Sequence, residues 1–381
     1  MYKVMTIVGT RPEIIKMACV IPAFDEHTEH ILVHSGQNYD YSLNQVFFED
    51  LGIRKPNHFL EAAGKNAAET IARVIERSDA LFEVVKPDAL LLYGDTNSCL
   101  SVIPAKRRRI PVFHMEAGNR CFDERVPEEI NRKVVDHLSD VNFALTEHAR
   151  RHLLAEGLPS DRVFVSGSHM EEVFEKYAAK IAASTVLAEL NVEPGGFLLV
   201  SSHREENVDS EERLAALLSS LCQLHEQLQV PVIVSTHPRT RKRIEASGVT
   251  AAGDVRFMTP FGFTDYIALQ RKALCVISDS GTITEESSLM GFPAVNLREA
   301  HERPEGVDQG TLIMSDCHPD RLIPAVKTTI AIHAAQPHYR RVVPDYQGGA
   351  VSMKILTTVL SYIGYVNRVV WRNGFSYSDH A

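Results

Sequence analysis

Short runs of apolar, largely β-branched residues recur along this chain, and each gives way to a stretch of helical periodicity. That alternation constrains the fold more than any other feature. The first series is Met5–Val8, His30–His34, Ala89–Tyr93, Val112–Met115, Val141–Leu145 and Arg162–Val165. The second is Phe197–Ser201, Val230–Ser235, Val255–Met258, Leu274–Ser278, Ala294–Leu297 and Thr311–Met314. Most run on without polar alternation, as do strands buried on both faces of a parallel sheet. Between them, Glu13–Phe24 reads as a helix opened by Pro12. Ala67–Val85 and Glu211–Gln227 show apolar residues at helical spacing, the latter with Glu211 and Glu212 in its first turn, where the macrodipole favours them. The alternation predicts an α/β protein of two Rossmann-like domains, 1–167 and 168–345, followed by a helical segment, 346–381, with no strand after it. Two such domains facing each other make a cleft at the carboxyl ends of their strands, so the residues just after each strand carry the functional interest.

Composition removes several classes. With 381 residues, 44% hydrophobic and 23% charged, the chain is globular and of ordinary apolar content. Acidic residues exceed basic ones by 49 to 40, a net charge of −9, the reverse of a nucleic-acid binder's balance. The six cysteines form no CxxC pair and read as reduced, mostly buried thiols of a cytoplasmic protein. No stretch reads as a signal peptide or a membrane span. GxGxxG, GxxxxGK[ST] and HExxH are absent, so neither a dinucleotide, nor nucleotide hydrolysis, nor a catalytic metal is expected. The basic run Lys106–Arg109 reads as the solvated C-terminus of a helix.

The strand ends are chemically rich. Gly9-Thr10-Arg11-Pro12-Glu13 is a glycine turn running into a helix start; it presents N–H groups to an anion, with Arg11 and Lys16 adding charge, although a plain βα turn reads as well. Asp95 and Glu116 each follow wholly apolar runs, where a carboxylate rarely sits without a partner or a task. Glu128, in Pro127-Glu128-Glu129-Ile130-Asn131-Arg132, is a third acid, equally readable as a dipole complement. In the second half His203 and His237 end strands. Asp279-Ser280-Gly281-Thr282 leads into a helix start whose N–H groups and hydroxyls suit a diphosphate; Glu286, one turn in, suits ribose hydroxyls, and Arg303 follows another strand.

These blocks, in this order, resemble the non-hydrolysing UDP-N-acetylglucosamine 2-epimerase family over nearly the whole chain. The resemblance implies the GT-B fold, with the last helix crossing back onto the N-terminal domain, and a homodimer. It matches Asp95, Glu116 and Glu128 to the acid/base carboxylates, His203 to the catalytic histidine and Arg132 to a basic residue beside the reacting sugar. It matches Arg11, Lys16, Ser280, Gly281, Glu286 and Arg303 to positions that hold UDP, and sets Thr282, Phe261, Tyr266 and His237 among the substrate-binding positions. Asn119 stands where leucine is common, Phe261 where some members have glutamine, and Thr282 where a second glycine is usual. Of the two glutamines of an allosteric site in some members, Gln37 is kept and Asp40 replaces the other. The segments Gly118–Asp123, Gly94–Cys99 and Tyr365–Arg368 resemble the branch that finishes UDP-N-acetyl-L-fucosamine in capsule and O-antigen synthesis.

The chemistry implied needs no redox cofactor and no metal. C2 of a 2-acetamido sugar has no neighbouring carbonyl, so direct proton removal would leave an unstabilised carbanion. Expelling UDP from C1 acidifies the C2 proton and gives a 2-acetamidoglycal. Such a reaction asks for cations and N–H groups at the leaving diphosphate and an acid and a base at C2. Crowded carboxylates, in which repulsion and burial raise at least one pKa, supply both forms near neutral pH. A GT-B glycosyltransferase or a silent UDP-sugar sensor would share the nucleotide site but would not need three strand-end acids.

Overall fold

The computed structural model describes residues 1–36, 48, 51–202, 207, 210–236, 240–241, 243–244, 253–298, 302–336 and 342–372. The chain forms two compact units, Met1–Val173 with Gln347–Ala381, and Phe174–Tyr346.

In the first unit the described strands are β1 (Lys3–Val8), β2 (Glu29–His34), β3 (His58–Phe59), β4 (Ala89–Tyr93), β5 (Val112–Ala117), β6 (Val141–Ala144) and β7 (Val163–Val165). They form one sheet in the order β3-β2-β1-β4-β5-β6-β7, paired in parallel throughout. Every residue of β4 is buried, which its unbroken apolar run requires. Helix Ala67–Val85 covers one face, its Val74 and Phe82 packing with Leu90, Leu92 and Val112. β3 has no counterpart among the apolar runs: it is two exposed residues paired to the end of β2.

One expected helix is two. Arg11–Lys16 and Val20–His27 are separate, joined through Met17–Cys19. Pro22 is the reason, because it has no N–H for the carbonyl of Ala18 and its ring would collide there in a continuous helix. The last helix, Val351–Val369, packs against Val20–His27. It buries Val351, Ile355, Leu356, Val359, Ile363 and Val366 along one stripe. Its start is tied down where Gly349 N donates to Glu171 (2.8 Å) and Ser352 N to Glu172 (2.9 Å). Among the described residues, no helix is long and apolar enough to cross a membrane.

The second unit carries β8 (Leu198–Ser201), β9 (Val232–Ser235), β10 (Val255–Met258), β11 (Cys275–Ser278), β12 (Ala294–Leu297) and β13 (Ile313–Ser315), again all parallel, in the order β10-β9-β8-β11-β12-β13. Helices Glu211–Leu228 and Pro319–Ala335 close one face over Val200, Val234, Ile277 and Val295. Each sheet reverses its building direction once, between β1 and β4 and between β8 and β11. Open α/β sheets bind ligands at that switch point, beyond the carboxyl ends of the strands.

Candidate functional site

At the first switch point Gly94 N donates to the carbonyl of Met115 (3.0 Å), so Asp95 and Glu116 leave neighbouring strands at nearly the same level. Gly94 has φ +73°, and Glu116 itself has φ +63° at a register shift between Met115 and Ala117. A glutamate in the left-handed region is strained by roughly 1–2 kcal/mol, and a bulge of this kind re-aims a side chain. The carboxylate so aimed meets Lys16 Nζ at 2.5 Å and accepts the hydroxyl of Tyr93. Lys16 is itself buried, its Nζ 5.2 Å from the centre of the Tyr93 ring.

Asp95 is held from helix Pro127–Leu138. Arg132 Nε and Nη2 each lie 2.8 Å from its Oδ2, and Asn131 Nδ2 donates to its backbone oxygen at 2.9 Å. Arg132 also donates to Glu129 at 3.1 Å. Glu129 accepts the backbone N–H groups of Cys121 (3.1 Å) and Phe122 (3.2 Å). Burial pushes the Glu129 carboxyl up, but the Cys121 amide and thiol, Arg132 and the Phe122 amide together hold it below the ordinary glutamate value. Glu128 is exposed. Neighbours on a helix point about 100° apart, so of this acidic pair only Glu129 turns inward.

The turn after β1 differs from the sequence expectation. Its N–H groups are not offered to an outside anion: Glu13 Oε2 takes Gly9 N at 2.5 Å and Thr10 N at 3.2 Å. Glu13 is 3% exposed, and burial, with the charge of Asp95 adding, pushes its carboxyl up to about 7 against the pull of Thr96, Gly9 and Thr10. The carboxyl poised near neutrality is therefore one the acid count did not include. Thr10 and Glu13 have capping-box spacing, which was the available signal. Arg11 is half-buried in the first turn of the same short helix.

At the second switch point Asp279 is fully buried and accepts Ser202 Oγ (2.9 Å) and Asn207 Nδ2 (3.0 Å). Ser280 and Gly281 then turn the chain into helix Ile283–Met290, with Thr282 just before its first residue. Ser280 Oγ lies 3.0 Å from Thr282 Oγ1, which donates to Glu286 Oε1 at 2.7 Å, while Gln270 Nε2 donates to Glu286 Oε2 at 2.5 Å. Arg303 is buried and paired with Glu285 at 2.9 Å, its Nε 3.5 Å from the carbonyl of Gly281. Tyr266 sits nearby; burial and the charge of Glu286 push its phenol well up against hydrogen bonds with Ser201 and Ser278. Phe261 is half-buried just ahead of helix Phe263–Lys272. Within this unit Ser280, Gly281, Thr282, Glu286 and Arg303 thus gather around one turn. His203, His237, Gln37 and Asp40 lie outside the described residues.

Two doubly wound parallel sheets, with acids beyond one and a hydroxyl-rich helix start beyond the other, define an α/β enzyme of the GT-B type. A UDP-N-acetylglucosamine 2-epimerase from Rickettsia bellii has the same fold, with TM-score 0.91 and 56% identity over 98% of this chain and 100% of that one. The Methanocaldococcus jannaschii UDP-GlcNAc 2-epimerase, solved with UDP-GlcNAc and UDP, gives TM-score 0.85 and 30% identity over 94% and 99%. The UDP-2,3-diacetamido-2,3-dideoxy-D-glucuronate 2-epimerase of Pseudomonas aeruginosa is 33% identical over 334 residues, 86% of this chain and 92% of that protein. The UDP-N-acetylglucosamine 2-epimerase family profile matches residues 23–360, and the chain belongs to that family of isomerases.

Proposed function

We propose that this chain inverts C2 of a UDP-2-acetamido sugar by eliminating UDP and adding it back. The observation that carries the reading is the pair of strand-end acids on β4 and β5, Asp95 held by Arg132 and Glu116 held by Lys16 and Tyr93. In the forward half-reaction the C1–O bond to UDP breaks, a carboxylate takes the C2 proton, and the electron pair of that C–H bond becomes the C1–C2 double bond of the glycal. In the return, a carboxylic acid delivers a proton to the opposite face of C2 and UDP re-forms the bond to C1. Asp95, Glu116 and Glu128 are the acids we assign to this traffic, and Glu128, exposed in its first turn, is free to meet a sugar. Glu129 has its oxygens committed to Arg132 and backbone amides and serves as a fixed anion. Ser280, Gly281, Thr282, Glu286 and Arg303 we assign to UDP, with Arg11, Lys16, Phe261, Tyr266 and His237 as further substrate-binding positions and His203 as a further catalytic group.

For the sugar, we favour UDP-2-acetamido-2,6-dideoxy-L-talose going to UDP-N-acetyl-L-fucosamine, on the resemblance carried by Gly118–Asp123. The names of the relatives support UDP-N-acetylglucosamine going to UDP-N-acetylmannosamine about equally. Proton NMR of each nucleotide sugar with the enzyme in D2O decides. The expected product carries deuterium at C2. Sugar transfer to an acceptor with no epimer formed would discard the proposal in favour of a glycosyltransferase. We further propose a homodimer, which light scattering tests.

A further inference from the structure

His114 is buried in β5, two residues before Glu116. Its Nε2 lies 2.7 Å from the carbonyl oxygen of Gly94, the residue before Asp95. A carbonyl can only accept, so Nε2 carries a proton and donates it. Nδ1 lies 2.8 Å from Oδ1 of Asp136, which is wholly buried. The other oxygen of Asp136 accepts Gly118 N (3.2 Å) and Arg120 Nη1 (2.7 Å). Gly118 is two residues after Glu116. One carboxylate thus fastens the chain beyond Glu116 directly and the chain before Asp95 through the imidazole. Arg120 is shared onward with Glu156 (2.7 Å), so the buried aspartate does not stand alone.

These ties fall where the backbone needs them. Gly94 (φ +73°), Glu116 (φ +63°) and Gly118 (φ +84°) are all left-handed; the glycines take this conformation without strain, but a glutamate there is strained and persists only where its surroundings over-determine it. Plain core packing would not require an imidazole here with a donor aimed at one strand end and its other nitrogen at a buried anion. We infer that His114 and Asp136 form a positioning pair, an imidazole bridge that sets the spacing of the Asp95 and Glu116 carboxylates for proton transfer at C2. The inference rests on the epimerase reading and adds residues that touch no substrate.

The two ring nitrogens can be replaced one at a time. In His114→Gln the amide NH2 reaches toward the Gly94 carbonyl; in His114→Asn the shorter amide keeps a donor only for Asp136. We expect His114→Asn to lose about 10²-fold in kcat, the usual cost of misplacing a reacting group by about 1 Å, with KM changed less than about threefold. His114→Gln should stay within about tenfold of the parent kcat. A structural role alone would make both lose activity in step with their unfolding temperatures, and that result overturns the inference. Near-parent kcat for a folded His114→Asn does the same. Because a variant here can fail to fold, NMR of the ¹⁵N-histidine-labelled parent gives a second reading. An exchange-protected proton on Nε2 of His114 supports the bridge, and a rapidly exchanging one overturns it. If the parent turns over no UDP-2-acetamido sugar, the epimerase reading fails, while the NMR still reports the bridge.

Discussion

Lys16 Nζ lies 2.5 Å from Oε2 of Glu116, although the two are 100 residues apart in the chain, and both side chains are about nine-tenths buried. Lys16 ends the first helix after β1, and Glu116 lies one residue before the end of β5 in a left-handed conformation. The pair joins two strand ends on either side of β4. Removing one member of a buried pair leaves the other uncompensated, typically at about 3–5 kcal/mol. Lys16→Met is therefore expected to be markedly less stable than the parent. Adding Glu116→Gln should recover much of that loss. Urea denaturation of the two singles and the double measures the coupling, and simple additivity would mean that the contact contributes nothing.

The acids separate by what their loss should do. Asp95→Asn and Glu116→Gln are expected to lower kcat by about two to four powers of ten, the ordinary worth of general acid–base groups. Glu128→Gln should lower kcat while leaving the unfolding midpoint alone, since the side chain is exposed. Glu129→Gln should do the opposite in emphasis: it unsettles Arg132 and the Cys121–Phe122 amides, so stability and KM move. Steady-state kinetics beside thermal unfolding distinguishes them. A Glu128→Gln enzyme with full activity would remove that residue from the mechanism.

Both sheets were legible in the sequence because buried parallel strands must be apolar on both faces, and β4 and β12 fall on the expected residues without adjustment. What the pattern could not show is local and polar. β3 is two residues long, too short to form an apolar run, and the helix break before Pro22 is a steric event that apolar periodicity passes over. The positions of Asp95 and Glu116 at strand ends were readable from one-dimensional order. Their partners Arg132 and Lys16 arrive from helices elsewhere in the unit, and sequence distance carries no record of which cation meets which acid. The choice between Glu128 and Glu129 for the interior depended on the angle at which one helix meets its loop.

Glu13 gives a pH prediction whose sign follows from its burial. Its carboxyl titrates at about 7 in the folded protein, above the ordinary value of 4.5 that it regains on unfolding. Between those values the folded state holds the extra proton. The stability it lends is complete below about 4.5 and is lost as pH rises through about 7, a difference of about 3 kcal/mol. Glu13→Gln cannot titrate, so its stability should change less than the parent's between acidic and mildly alkaline buffer. Urea midpoints of both proteins across that range test it; parallel curves would mean that Glu13 keeps an ordinary pKa.

Gly94 and Gly118 flank the two acids and look interchangeable in sequence, yet they face different surroundings. Both are left-handed, at φ +73° and +84°. A Cβ on Gly94 would meet nothing within 4 Å, so Gly94→Ala bears only the backbone strain, roughly 1–2 kcal/mol. A Cβ on Gly118 would sit 2.3 Å from the carbonyl oxygen of Ala149 and 2.9 Å from Cγ of Leu153. The first of those is backbone of helix Glu147–Ala155 and cannot rotate aside. Gly118→Ala must therefore push that helix away in addition to bearing the strain, for about 3–5 kcal/mol in all. The displacement also drags the amide that donates to Asp136, so activity should fall with stability at Gly118. Denaturation midpoints of the two alanine variants, measured together, give the comparison. Equal losses would show that strain alone governs both sites and that the helix yields freely to an added methyl group.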